Sequence, residues 1–131
     1  MKGHHKTFSF TKNYENLTQV LTDRKLASLG DTYVNFACSL ALSSINGKPT
    51  GVKVKGSVLA EAVKKTQLRQ HMPSRMTRHM LADAAESLIV YAWLRGDITI
   101  NETATILAKS KDQVEDFSQL LTTIKNRITF P

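Results

Sequence analysis

The 131-residue chain carries a net charge of +7, and 41% of its residues are hydrophobic, a composition typical of one folded domain rather than a disordered segment. Its single cysteine, Cys38, excludes an intramolecular disulfide and a zinc site built from paired cysteines. No run of eighteen apolar residues is present, and the first ten residues lack the apolar stretch of a signal peptide. We therefore expect a cytoplasmic protein with no membrane partner.

The excess positive charge lies in the middle third of the sequence. Residues 48–79 contain eight lysines and arginines against one acid, Glu61, whereas residues 80–131 contain more acidic than basic residues. A solvated charged face accounts for many such runs. Clustering of this degree nevertheless favours an anionic polymer, nucleic acid above all, as the partner.

Helical periodicity dominates the chain from Asp23 onward, so we predict an all-α fold. The first long helix spans 23–45, and Gly30 lies near its middle with Asp31 beside a groove that Gly30 and Ala27 leave open. Turn residues over 46–51 end this helix. Its large apolar residues recur at intervals of three and four, which predicts one buried stripe: Leu26, Leu29, Tyr33, Phe36, Ala37 and Leu40.

Four more helices are predicted after this one. A short helix over 57–68 has Ser57 as its N-cap, and a strongly apolar helix over 75–94 is expected at the centre of the fold. After Gly96, two helices cover about 101–109 and 111–127, the second with a capping box that starts at Ser110. The sequence thus predicts a single domain over 1–131 with a helical tail over 98–131.

Three carboxylates point to a metal site. Asp83 and Glu86 stand three residues apart on the central helix and therefore share a face, and burying two like charges is costly unless a cation offsets them. With Asp31 they form an oxygen-only set of the kind that Mg²⁺ prefers, which indicates metal-assisted phosphoryl hydrolysis. The alternative interpretation is that both carboxylates line a wet groove or pair with basic neighbours: Arg75, Arg78 or His79.

Three blocks of the sequence resemble, in order and spacing, the catalytic domain of the ribonuclease III family. The blocks are Leu26-Ala-Ser-Leu-Gly-Asp31, Val54-Lys-Gly-Ser-Val-Leu-Ala-Glu61 and Leu81-Ala-Asp-Ala-Ala-Glu-Ser-Leu-Ile89. The match covers about residues 24–95. This resemblance implies a homodimer that cleaves double-stranded RNA during RNA processing, using Mg²⁺ or Mn²⁺, and leaves 5′-phosphate and 3′-hydroxyl ends.

The same resemblance implies a role for each acidic residue. Asp31 and Glu86 match the carboxylates that hold Mg²⁺, and Asp83 matches a third that orients the water shell of the metal or supports Glu86. A duplex is recognised by its shape and its phosphates, so we assign RNA binding to the basic surface. Its predicted members are Lys53, Lys55, Lys64, Lys65, Arg75 and Arg78.

Two departures from the family pattern leave a second interpretation open. Arg24 and Ala27 stand where longer members have glutamates, so one of the usual four carboxylates is missing, although Asp23 lies one turn before Ala27. The compact members called Mini-III resemble this chain in having a small residue at the Ala27 position and no separate double-stranded-RNA-binding domain. The second interpretation is a catalytically weak or inactive RNA-binding or assembly protein. A helix-turn-helix module over 99–127 fits less well because that segment is acidic.

Overall fold

The computed structural model describes residues 8–131, and this part of the chain is all-helical, as predicted. It contains no strand and no helix that is long and apolar enough to cross a membrane. Six α-helices and one 3₁₀ helix follow one another within it: α1 Leu17–Leu21, α2 Arg24–Asn46, α3 Gly56–Lys64, the 3₁₀ helix Gln67–His71, α4 Arg78–Arg95, α5 Ile100–Leu107 and α6 Gln113–Arg127.

Helix α4 lies at the centre of the fold because it is apolar on nearly every side. Eleven of its residues are buried, and α1, α2, α3 and α6 all pack against it. Leu88, Ile89 and Tyr91 have no exposed surface at all. The prediction that this segment forms the central helix is confirmed, and its partners in the core include α2, which carries Asp31.

The buried side of α2 differs from the predicted stripe. Leu29 and Phe36 are 40% and 57% exposed, so these two members of the stripe face solvent. The reason is a close helix crossing: a Cβ added at Gly30 would lie 2.1 Å from the carbonyl oxygen of Glu86 on α4. The groove predicted beside Gly30 is therefore filled by the backbone of α4. Small residues make this approach possible: Ala27, Gly30, Val34, Ala37 and Ala41.

The ends of α3 and α4 also differ from the prediction. Helix α3 begins at Gly56 and stops at Lys64, so Ser57 lies inside the first turn and is not the N-cap. Helix α4 begins only at Arg78, because the hydroxyl of Thr77 caps it by accepting a hydrogen bond from the backbone N–H of Met80. The predicted start at residue 75 was therefore three residues too early.

The capping box of the C-terminal half belongs to α5 rather than to α6. Thr99 and Glu102 exchange the two reciprocal hydrogen bonds of a capping box at the start of α5. At the start of α6, Asp112 is the N-cap. The hydroxyl of Ser110, predicted to fill that role, instead donates to the buried carboxylate of Asp116 at 2.9 Å.

Candidate active site

Asp31 and Glu86 meet where α2 crosses α4. Gly30 brings the two backbones together at the carbonyl group of Glu86, so the next residue of α2 faces the same turn of α4. The carboxyl groups of Asp31 and Glu86 lie within hydrogen-bonding distance of each other. Two acidic side chains from separate helices, far apart in the sequence, are thus held in direct contact.

The electrostatic surroundings of Glu86 make this contact costly. Its pKa is raised to about 8, chiefly by burial, then by the hydrogen bond to Asp31 and by the negative charges of Asp31 and Asp83. The nearby ammonium group of Lys53 opposes these effects. A carboxyl group with such a pKa is mostly protonated at neutral pH, so Glu86 can donate a hydrogen bond to Asp31.

Asp83 lines the same surface pocket, which has a volume of about 470 Å³. Its carboxylate lies 3.8 Å from Nε2 of the exposed His79, one turn earlier on α4. Of the three basic residues considered as structural partners of the acids, His79 alone lies within ion-pair distance of one of them among residues 8–131. The pocket therefore brings the three predicted acids together, with Asp83 turned partly toward His79.

The donor chemistry of the pocket fits Mg²⁺. Among the described residues, no group of three or more His, Cys, Asp or Glu side chains is arranged to hold a metal ion. Mg²⁺ keeps several waters, however, and binds proteins through as few as one or two carboxylates. The contact between Asp31 and Glu86 supplies that number of oxygen ligands, and a cation beside them would remove the cost of holding two acids together.

All the predicted RNA-binding residues are exposed, and Lys53 alone among them lines the pocket. Lys53 Nζ lies 3.9 Å from Oδ2 of Asp31, and Lys53 lines the pocket. Lys55, Arg75 and Arg78 are exposed and form no ion pair with any residue over 8–131. Their positive charges are therefore not offset by an acidic partner within this part of the chain.

Lys64 and Lys65, at the end of α3, differ from these three residues in that each forms an ion pair. Lys64 pairs with Glu61 on its own helix at 3.3 Å, and Lys65 pairs with Glu115 on α6 at 2.9 Å. The hydrogen bond to Glu115 raises the pKa of Lys65. Both lysines are exposed, as an RNA-binding residue must be, but each already has an acidic partner.

Residues 24–129 of this sequence match the ribonuclease III family. The chain belongs to that family. The matched range extends from the start of α2 past the end of α6, so it includes the helical tail that lay beyond the three blocks recognised in the sequence. No curated protein matches the sequence. Family membership supports an endoribonuclease that acts on RNA.

The two residues at which this sequence differs from the longer ribonuclease III family members lie at the pocket. Ala27 and Arg24 both line the pocket, and Ala27 is buried. Asp23 does not line it, because its carboxylate caps α2 by accepting hydrogen bonds from the backbone N–H groups of Lys25 and Leu26. The hydroxyl of Tyr14 donates to the same carboxylate. The pocket is therefore lined by three carboxylates, the guanidinium of Arg24 and the methyl group of Ala27.

One residue that contacts the candidate site of this ribonuclease III family member was not predicted from the sequence. Asn35 lies one helical turn after Asp31, and its Nδ2 donates to Oδ1 of Asp31 at 3.3 Å. Its Oδ1 accepts a hydrogen bond from the backbone N–H of Val54 at 2.8 Å. The spacing of four residues from Asp31 was the available signal, because such a pair lies side by side on a helix.

Proposed function

We propose that this protein is an endoribonuclease that cleaves double-stranded RNA to 5′-phosphate and 3′-hydroxyl ends in RNA processing. Mg²⁺ is the proposed cofactor, and Mn²⁺ is expected to substitute for it. The observation that carries this proposal is the contact between the carboxyl groups of Asp31 and Glu86 in an open, basic-rimmed pocket of a ribonuclease III family member. Such a site combines ligands for a hard cation with a surface for phosphates.

The roles of the residues follow from their positions. Asp31 and Glu86 hold the cation, which when bound supplies Lewis acidity for hydrolysis of a phosphodiester, and Asp83 supports them from the same pocket. Lys53 binds a phosphate at the rim beside Asp31. The other predicted basic residues bind neighbouring phosphates and so fix the register of the duplex without reading its sequence: Lys55, Lys64, Lys65, Arg75 and Arg78.

The outer side of α2 supports the proposal that the enzyme is a homodimer. Leu29 and Phe36 are exposed and Leu40 is half-buried, and by helix geometry all three lie on one side. Large apolar side chains in a row on a surface are typical of protein interfaces. A two-fold axis would pair this side with itself, and the second copy would bring a second pocket, so that each subunit cuts one strand.

A cleavage assay tests the proposal. Long duplex RNA is incubated with the protein and Mg²⁺, Mn²⁺ or EDTA, and we expect cuts only with metal. Asp31→Asn and Glu86→Gln should each lower the rate at least about a hundredfold, since each removes a charged ligand. Glu15→Gln, which changes an exposed acid outside the pocket, should retain the wild-type rate. Cleavage in EDTA, or full activity of both pocket variants, would contradict the proposal.

Ala27 favours a second candidate function, an RNA-binding or assembly protein with little or no cleavage activity. It places a buried methyl group in the pocket where longer family members have a carboxylate. This candidate predicts tight binding of duplex RNA, no metal-dependent cuts, and binding that is unchanged in Asp31→Asn. The same assay, combined with a binding measurement, therefore separates the two functions.

A further inference from the structure

Three polar side chains of α2 hold an extended segment, residues 50–54, along the helix. We name them the polar ladder: Asn35, Ser39 and Ser43. Each accepts a hydrogen bond from a backbone N–H of the segment: Thr50 to Ser43 at 2.8 Å, Val52 to Ser39 at 2.9 Å and Val54 to Asn35 at 2.8 Å. Four residues of helix advance about 6 Å and two residues of extended chain about 6.6 Å, so the two elements stay in step.

The ladder ends at the carboxylate pocket. Asn35 uses both ends of its amide, because its oxygen accepts from Val54 and its nitrogen donates to Oδ1 of Asp31 at 3.3 Å. The residue before Val54 is Lys53, whose Nζ lies 3.9 Å from the other oxygen of Asp31. One side chain thus connects the carboxylate of Asp31 to the backbone that carries Lys53.

We propose that Asn35 is a positioning residue for RNA cleavage: its amide orients the carboxylate of Asp31 and anchors the segment that carries Lys53. The inference rests on the proposed function of the pocket. The terminal torsion of an aspartate is broad, so a half-buried carboxylate such as that of Asp31 needs a hydrogen bond to fix its plane. Residues 51–55 have no regular secondary structure of their own, so Lys53 depends on the adjacent contact of Val54 with Asn35 for its place beside Asp31.

Three variants separate the two contacts of the amide from a general loss of stability. Asn35→Ala removes both contacts. Asn35→Ser leaves a hydroxyl of the kind that already accepts backbone N–H groups at Ser39 and Ser43, and it removes the amide donor to Asp31. Ser43→Ala is the matched control, since it removes an equivalent ladder contact about 18 Å along α2 from Asp31.

The values of kcat and KM for cleavage of duplex RNA should distinguish the three variants. We expect kcat to fall at least about tenfold in Asn35→Ala and Asn35→Ser, because both lose the contact that orients Asp31. KM should rise several-fold only in Asn35→Ala, which also frees the segment of Lys53. Ser43→Ala should keep kcat and KM within about twofold of wild type while its melting temperature falls as much as that of Asn35→Ala.

A second measurement needs neither RNA nor turnover. A ligand that binds the folded state raises the melting temperature according to its affinity. Mn²⁺ alone should raise the melting temperature of wild type and Ser43→Ala equally, and should raise it less in both Asn35 variants. This readout reports on the carboxylates directly, so a variant that merely folds less well would not change it.

The outcomes distinguish this inference from the proposed function. If wild type cleaves RNA, and the losses of kcat in the three variants only follow their losses of melting temperature, the inference is wrong and the function stands. If wild type is inactive but responds to Mn²⁺, a response that is retained in Asn35→Ala also overturns the inference. A wild-type protein that neither cleaves nor responds to Mn²⁺ rejects both.

Discussion

The two long sides of α2 reverse the usual relation between residue size and burial. The inner side carries small residues packed against α4, whereas the outer side leaves the large side chains of Leu29 and Phe36 exposed. The small residues let the helices approach until Gly30 contacts the carbonyl group of Glu86. That approach is also what brings Asp31 to Glu86. The inner side therefore sets the position of the two acids, whereas the large apolar side chains of the outer side remain on the surface.

The largest effect is expected where the inner side is tightest. Gly30→Ala places a Cβ 2.1 Å from the carbonyl oxygen of Glu86, so α2 and α4 must separate. We expect the free energy of unfolding to fall by about 3 kcal/mol, measured by urea denaturation, in spite of the better helix propensity of alanine. Gly56→Ala is the control, since its Cβ would meet Ala82 at an ordinary 3.7 Å. Equal stability of the two variants would show that the crossing is not tight.

This inner side marks the limit of what the sequence predicted. The five helices from α2 onward and the central place of α4 followed from apolar periodicity, whereas α1 and the 3₁₀ helix were not predicted. The approach of Asp31 to Glu86 followed from the cost of burying acids without a cation and from the family resemblance. The buried side of α2 did not follow, because periodicity weighs hydrophobicity and cannot measure how closely two backbones approach. The contact of Asn35 with Val54 was equally hidden, since it joins a helix to an irregular segment nineteen residues away.

The next effect is expected on the outer side. Phe36→Glu places a charge in the exposed apolar row, and we expect the dissociation constant of the proposed homodimer to rise at least about a hundredfold, or about 2.7 kcal/mol. Sedimentation over a range of concentrations measures it. Ile45→Glu is the matched control, because Ile45 is 50% exposed and lies about 180° around the same helix. A wild-type protein that stays monomeric would contradict the assignment of this side to a second copy.

A smaller effect should reveal the cost of the acidic contact on the inner side. Since the pKa of Glu86 is raised to about 8, the folded protein binds this proton more tightly than the unfolded chain does. The resulting stability is complete below the ordinary pKa of a glutamate and is lost as the pH rises to about 8. Glu86→Gln cannot ionise and therefore keeps its stability at high pH.

Urea denaturation in EDTA measures this difference. At pH 9, the free energy of unfolding of Glu86→Gln should exceed that of wild type by about 1 to 2 kcal/mol, a figure lowered for solvent screening at a half-buried site. The two proteins should converge near pH 4, and Glu15→Gln should follow wild type throughout. Mg²⁺ should then stabilise wild type more than Glu86→Gln at pH 9. A constant difference at all pH values would trace the effect to packing instead of charge.

The smallest effects are expected at exposed basic residues that adjoin the pocket lining in the sequence: Lys55 follows Val54, and Arg78 precedes His79. Lys55 and Arg78 form no ion pair over residues 8–131, whereas Lys64 and Lys65 each have an acidic partner. A lysine already paired with a carboxylate releases fewer counterions when it binds a phosphate. The double variant Lys55→Ala, Arg78→Ala should therefore weaken duplex RNA binding about tenfold, as measured by fluorescence anisotropy. The slope of the logarithm of the binding constant against the logarithm of the salt concentration should become shallower by the contribution of nearly two phosphate contacts. The double variant Lys64→Ala, Lys65→Ala should weaken duplex RNA binding by no more than about threefold. A larger loss of affinity at Lys64 and Lys65 than at Lys55 and Arg78 would instead place the RNA at the end of α3.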